Sequence, residues 1–267
     1  MDYSSKELFG NKALRMFLGW AFGIVWGTGL LLILVTNLNL LPRTAGTIFR
    51  FALTGVGITA APAYASYAVF KKYGGISGGK VFFRQILSIG NKRKTVVLLL
   101  LSYLLLLVFC LVCETYTGNP WYLLVPYLPF MVIGGGIEEI GWRGYLQPCL
   151  EKRFSFVPAA LIQGSIWAIW HLPLWFVQGS TQSSLNFGSF WLYCVVFCFV
   201  LGALYRATSS IFAAVLLHAW VNVLIGEMFT LDCLTHLPTV QAWLLYVLMI
   251  LLSVFLAKRS SESGRYG

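Results

Sequence analysis

The chain has 267 residues, 58% of them hydrophobic and only 10% charged, with a mean hydropathy of +0.78 and a formal net charge of +10. A soluble domain carries about 25% charged residues, so this surface is too apolar for a compact globule in water. Cytoplasmic enzymes, nucleic-acid binders and disordered proteins are thereby excluded, and the positive charge reads as basic residues held on the cytoplasmic side of a membrane.

Apolar runs long enough to cross a bilayer, at about 20 residues each, recur along the chain. They predict eight spans: 14 to 36, 47 to 70, 95 to 113, 121 to 147, 157 to 177, 188 to 206, 210 to 229 and 239 to 257. The fourth is unusually long and carries charges at its far end. Backbone polar groups in lipid must be satisfied within the chain, so the expected fold is all-α, one helical bundle over residues 1–267. Its motif-bearing core is expected at about 121–229.

An even number of spans puts both termini on one side. With the N-terminus inside, Lys6, Lys12, Arg15, Lys71, Lys72, Lys80, Arg84, Lys92, Arg93 and Lys94 are cytoplasmic. So are Arg143, Lys152, Arg153, Arg206, Lys258, Arg259 and Arg265, which leaves Arg43 and Arg50 outside and puts 17 of 19 basic residues inside. A missed or invented span would reverse every later loop, so the charge pattern supports both the count and the orientation, with cytoplasmic termini. The first span exceeds a signal-peptide core and no small-x-small site clearly follows it, so it is expected to be retained.

Gly19, Gly23 and Gly27 lie on one face of the first span, where small residues let helices approach, and packing is their expected role. Gly74, Gly79 and Lys80 have phosphate-loop spacing. However, Val81 stands where a magnesium-binding hydroxyl is needed and the preceding element is a membrane helix, so the basic loop from 71 to 94 is read as lying on anionic headgroups. Cys110 and Cys113 have metal-ligand spacing without a second pair. They, Cys149, Cys194, Cys198 and Cys233 are expected to be free thiols.

A few ionisable residues remain inside apolar segments, where each is costly and marks a functional site by default. They are Glu138, Glu139 and Arg143 in the fourth span, His171 in the fifth, and His218, with Asn222, in the seventh. Glu139 and Arg143 are four apart and share a helix face, so they can pair. Glu138 is left over, and a carboxylate of this kind suits taking a proton from water and returning it. The preceding run Gly134-Gly135-Gly136 permits close backbone approach. His218 and Asn222 also share a face and can donate two hydrogen bonds to a developing oxyanion. At about 1.5 Å per residue, Glu138, His171 and His218 lie at depths compatible with one site in the cytoplasmic half to the middle of the membrane.

Glu138-Glu139-x-x-x-Arg143, then Trp167-x-x-x-His171, then His218-x-x-x-Asn222, in that order on successive membrane helices, resembles the CAAX-protease and bacteriocin-processing (Abi) family of intramembrane proteases. The surrounding Glu-Glu-Ile-Gly-Trp-Arg-Gly-Tyr-Leu-Gln-Pro and Trp-His-Leu-Pro are similar too, and the matching stretch runs from about 130 to 225. The resemblance implies an endopeptidase that cuts a peptide bond at or within the membrane. In it Glu138, with His171, activates water, His218 and Asn222 stabilise the oxyanion, and Glu139 and Arg143 support the site. The second motif usually begins with Phe; here Trp167 keeps a packing aromatic. Glu138, His171 and His218 would make a two-His, one-carboxylate zinc site, yet the same residues can act without metal, and Asn222 fits an oxyanion role better than ligation. The metal-free glutamate mechanism is therefore favoured, with no cofactor. The expected partners are a membrane-associated peptide or protein and the bilayer, without nucleic acid, in a bacterial plasma membrane. A transporter, or a non-enzymatic immunity or scaffold protein, are the competing readings.

Overall fold

The computed structural model describes residues 7–74, 76 and 78–262. Lys6 and Arg265, both assigned to the cytoplasmic side by charge, lie outside the described residues, as do two positions of the basic loop. Eight helices are long and apolar enough to cross a membrane: α1 (Asn11–Asn37), α2 (Ile48–Tyr73), α3 (Lys92–Cys113), α4 (Trp121–Glu151), α5 (Phe156–Phe176), α6 (Phe187–Thr208), α7 (Ile211–Met228) and α8 (Val240–Ser260). Each agrees with its expected stretch within four residues at either end. This is a helical multi-pass membrane protein, and no strand occurs among the described residues.

Local chemistry places the helix ends. Asn91, Asn186 and Ser210 accept hydrogen bonds from the backbone N–H of Lys94, Ser189 and Ala213, capping α3, α6 and α7 at 3.0, 3.0 and 3.1 Å. Ser209, with φ of 54°, stops α6 in the left-handed region and turns the chain directly into α7. α6 is the central helix, enclosed on most sides, and it packs closely on α5. A Cβ built on Gly164 would stand 2.5 Å from the Val195 Cα. Leu30, Leu100 and Leu244, by contrast, are 62%, 58% and 66% exposed on α1, α3 and α8, an apolar surface suited to a membrane-spanning bundle.

The small-residue face of α1 differs from its expected role. Nothing lies within 4 Å of a Cβ built on Gly19, Gly23 or Gly27, which open outward; the packed face carries Ala13, Phe17, Ala21 and Val25. Close approach comes instead at Gly29, whose built Cβ would meet Pro173 of α5 at 2.5 Å. Helical periodicity carries those three glycines to the side away from the neighbouring helices. In the basic loop, Gly79 opens a short helix, Gly79–Ile86, that buries Phe82 and Ile86 and exposes Phe83 and Arg84.

Regular helix gives way in the spans that surround the site. α2 contains a π-helical turn at Leu53–Thr59, α4 one at Trp142–Leu146 and α7 one at Leu224–Met228, while α5 tightens into a 3-10 turn at Leu172–Phe176. Such backbone is tolerated at membrane depth where protein buries it or a cavity faces it.

Two sets of contacts tie the bundle at its ends. At the end bearing the basic turns, the Tyr145 hydroxyl donates to the Leu8 carbonyl at 3.0 Å and Arg153 donates to Phe9 and Cys149 carbonyls at 2.5 and 2.8 Å. At the other end the α3–α4 loop is laced to the α7–α8 loop by reciprocal bonds between Thr115 and Thr230 at 2.9 and 2.8 Å. Glu114 there accepts the backbone N–H of Asp232 and Cys233 at 2.6 and 3.3 Å. Burial raises the Glu114 carboxyl above the usual range, against the lowering effect of these two N–H donors.

Candidate active site

The run of glycines is where α4 is remade. Its first segment ends at Gly134, a single 3-10 turn covers Gly136–Glu138, and helix resumes at Glu139. This break lets α7 lie against bare backbone. A Cβ on Gly135 would overlap the Asn222 amide and come 3.1 Å from His218 Nε2, and one on Gly136 would sit 2.7 Å from the Val215 carbonyl. His218 and Asn222, one turn apart, therefore both rest over Gly135, three residues before Glu138. The close approach expected of the glycines is their observed role at two positions.

Glu138 is 3% exposed, and its Oε2 accepts two indole N–H groups, from Trp142 at 3.2 Å and Trp167 at 2.8 Å. Trp142 lies one turn along the same helix, whereas Trp167 reaches across from α5. Among the described residues Glu138 makes no ion pair, but its Oε2 is held by donors that charge pairing alone does not reveal. Trp167 does more than pack, because a Phe at this position has no N–H to donate.

Glu139 and Arg143 do pair, with Arg143 Nε 3.1 Å from Glu139 Oε2, both fully buried. The other Glu139 oxygen lies 2.8 Å from His218 Nδ1, so one carboxylate joins α4 to α7. Arg143 also reaches the Cys198 thiol of α6. Further along α4, the Gln147 amide donates to Glu151 at 2.8 Å and to the Gly202 carbonyl at 3.1 Å, and Arg206 lies 3.7 Å from Glu151.

The two histidines differ in what they can do. His171 Nδ1 is 2.9 Å from the Trp167 carbonyl, which can only accept, so Nδ1 carries the proton and the neutral ring presents an Nε2 lone pair. His218 Nδ1 donates to the Glu139 carboxylate, and its Nε2 becomes a donor only when the ring is an imidazolium, a charge that Glu139 is placed to balance. Trp167 stands edge-on to both rings, with centroids 5.6 Å from His171 and 5.4 Å from His218.

Glu138, Trp167, His171, His218 and Asn222 all line one cavity of about 220 Å³. Ile58, Met131, Leu174, Phe190, Tyr193 and Ile225 supply much of its apolar wall, and Thr181, Gln182, Leu231 and Leu234 come from the α5–α6 and α7–α8 loops. Among the described residues, no lysine or arginine lines it. Relative to the helix ends, His171 lies close to Phe176 at the end of α5 and Asn222 close to Met228 at the end of α7, each about 8–10 Å from that end of the bundle. Glu138 lies about 20 Å from the opposite, basic end of α4. The site is therefore central: Glu138 lies deeper from the basic end than the expected spans place it, because α4 extends to Glu151, while His218 lies about 10 Å from the start of α7.

Residues 96–224 match the family model for Type II CAAX prenyl endopeptidase Rce1-like proteins. Over these residues the chain is similar to the CAAX-protease and bacteriocin-processing family. A CAAX prenyl protease 2 of Methanococcus maripaludis is 39% identical over 67 residues, 25% of each chain. Lysostaphin resistance protein A of Staphylococcus haemolyticus is 25% identical over 150 residues, covering 51% of this chain and 40% of that protein. The protein of the same name from Staphylococcus epidermidis is 23% identical over 137 residues, 48% of this chain and 34% of its own. The matches thus span from a quarter to two-fifths of the relatives' lengths. The family match takes in α3 as well as the motif-bearing helices.

Among the described residues, no three His, Cys, Asp or Glu side chains come together as a metal-ligand group. Glu138, His171 and His218 share a cavity without forming such a set.

Proposed function

We propose that this protein is an intramembrane endopeptidase that uses Glu138 as the proton-transferring group. The observation that supports the reading is the convergence of Glu138, His171, His218 and Asn222, from three helices, on one cavity, with Glu138, His171 and His218 each held by a different hydrogen-bond partner. A water held between Glu138 and the His171 Nε2 lone pair gives its proton to Glu138 as its oxygen attacks the scissile carbonyl carbon. The carbonyl becomes a tetrahedral oxyanion, which the His218 Nε2–H and the Asn222 amide receive, each such donor contributing about 10²–10³ in rate. Glu138 then returns the proton to the leaving nitrogen as the C–N bond breaks. Glu139 holds the charged His218 in place, and Arg143 balances Glu139.

The test is a comparison of membrane peptidomes from cells carrying wild type and Glu138→Gln. Peptides produced only by wild type support the reading and identify the substrate; identical peptidomes overturn it. A companion measurement addresses metal dependence. Purified protein is expected to keep cleaving after exhaustive treatment with a zinc chelator. Stoichiometric zinc whose removal abolishes cleavage would instead make Glu138, His171 and His218 ligands.

Trp167→Phe separates packing from hydrogen bonding. The ring is largely retained but Glu138 loses its shorter N–H donor, so kcat is expected to fall by about tenfold, the equivalent of one hydrogen bond, while KM and thermal stability change little. An unchanged kcat would reduce Trp167 to the packing role its position in the motif suggests.

A further inference from the structure

We propose that Cys113 and Cys233 are a dithiol site that reacts with small disulfides, closing into an intramolecular disulfide while Glu114 takes the proton of the closing step. The pair joins the last residue of α3 to the α7–α8 loop, and neither thiol lines the cavity that holds Glu138.

All six cysteines are free, as expected, but they are not equivalent. Five are buried, whereas Cys113 is half-buried at the end of its helix, where a small reagent can reach it. The Cys233 sulfur lies 3.6 Å from the Cys113 carbonyl oxygen, and its S–H is within hydrogen-bonding reach of the Cys113 thiol. Two sulfurs 120 positions apart in the chain thus meet side by side. Cys149 and Cys198 instead face guanidinium groups, of Arg153 at 3.0 Å and of Arg143.

The surrounding loop contacts hold this meeting in place. Glu114, next to Cys113, accepts the N–H groups of Asp232 and Cys233, so the segment bearing Cys233 is fixed to the end of α3. Asp232 in turn accepts the Thr115 and Thr230 hydroxyls at 3.0 and 2.7 Å. A disulfide demands such fixed proximity of the two backbones it joins.

The chemistry divides between the two thiols. Burial pushes the Cys233 thiol up to about 12, so it stays protonated, while Cys113 meets the medium. Attack on an external disulfide RS–SR therefore falls to Cys113: its proton goes to the medium, its thiolate forms a Cys113–S–SR bond, and RS⁻ leaves. Cys233 Sγ then attacks the Cys113 sulfur and expels the second RS⁻. Its proton passes to Glu114, whose carboxylate is hydrogen-bonded to the Cys233 thiol and whose affinity for protons burial raises. Glu114 and the medium return the two protons to the two RS⁻. Two protein thiols and one RS–SR thus become one protein disulfide and two RSH, with the external disulfide as oxidant. Closure staples to α3 the loop that supplies Leu231 and Leu234 to the cavity wall.

The full-length protein, purified in detergent and reduced, is incubated with oxidised glutathione, quenched with N-ethylmaleimide, digested and read by mass spectrometry. A Cys113–Cys233 linked peptide is expected in wild type, together with a higher unfolding midpoint than the reduced protein shows, because the link closes a long stretch of chain. Cys113 and Cys233 both remaining open to alkylation after unfolding, or a Cys110–Cys233 link in their place, overturns the site. Cys233→Ser is expected to stop at a glutathione adduct on Cys113 and to show no rise in midpoint; an adduct-free Cys113 overturns its role as the attacking thiol. In Glu114→Gln, checked for an intact unfolding transition, the Cys113 adduct should persist and closure should slow on the order of 10²-fold. Closure as fast as in wild type overturns the part given to Glu114.

Discussion

Glu138→Gln is expected to lower peptide cleavage by on the order of 10²–10⁴-fold while leaving the protein inserted and folded. The substitution keeps the shape of the side chain and one acceptor oxygen, so the Trp142 and Trp167 N–H groups retain a partner where Oε2 now stands. What it removes is the ability to accept a proton from water and hand it to the leaving nitrogen. Glu138→Ala would be a poorer test, since two buried indole N–H donors would be left unsatisfied at about 1–3 kcal/mol each, and lost activity could then reflect lost structure. The measurement is kcat on a peptide found in the membrane peptidome, with thermal unfolding of each variant in detergent alongside. Normal cleavage by a well-folded Glu138→Gln protein would show that another group serves as base.

The spans were legible because each depends on a local property, some twenty apolar residues in a row, that tertiary context does not alter. The conspicuous charges were legible for the same reason: Glu138, Glu139 and Arg143 are expensive wherever lipid is the alternative solvent. The pairing of Glu139 with Arg143 follows from helix periodicity, and the structure keeps it although Arg143 itself lies in the π-helical turn Trp142–Leu146. Contacts between helices were not legible. Nothing in the spacing of Glu139 and His218, 79 positions apart, announces a 2.8 Å contact, and an indole at position 167 reads as a packing aromatic until the carboxylate beneath it is located. Gly19, Gly23 and Gly27 show the converse error. A small-residue stripe states where a helix can be approached closely, but which face meets a neighbour is set by the whole bundle.

Glu139→Ala is expected to be the most destabilising single change in the site. It strands Arg143, a fully buried guanidinium, and removes the acceptor from His218 Nδ1. Breaking a buried pair by removing one partner costs about 3–5 kcal/mol, a large part of the roughly 5–15 kcal/mol that holds a typical domain folded. The unfolding midpoint in detergent should fall on the order of 10 °C. Adding Arg143→Met removes the stranded charge, and because a buried ion pair can be replaced by apolar side chains at little net cost, the double variant should regain much of the midpoint. Cleavage should not return with it, since His218 still lacks the carboxylate that orients its ring and supports its positive charge as the oxyanion forms. Recovery of stability without recovery of kcat would therefore separate the two functions of Glu139, one facing Arg143 and one facing His218. Recovery of both would mean that His218 needs no carboxylate behind it, and its role as an oxyanion donor would have to be given up.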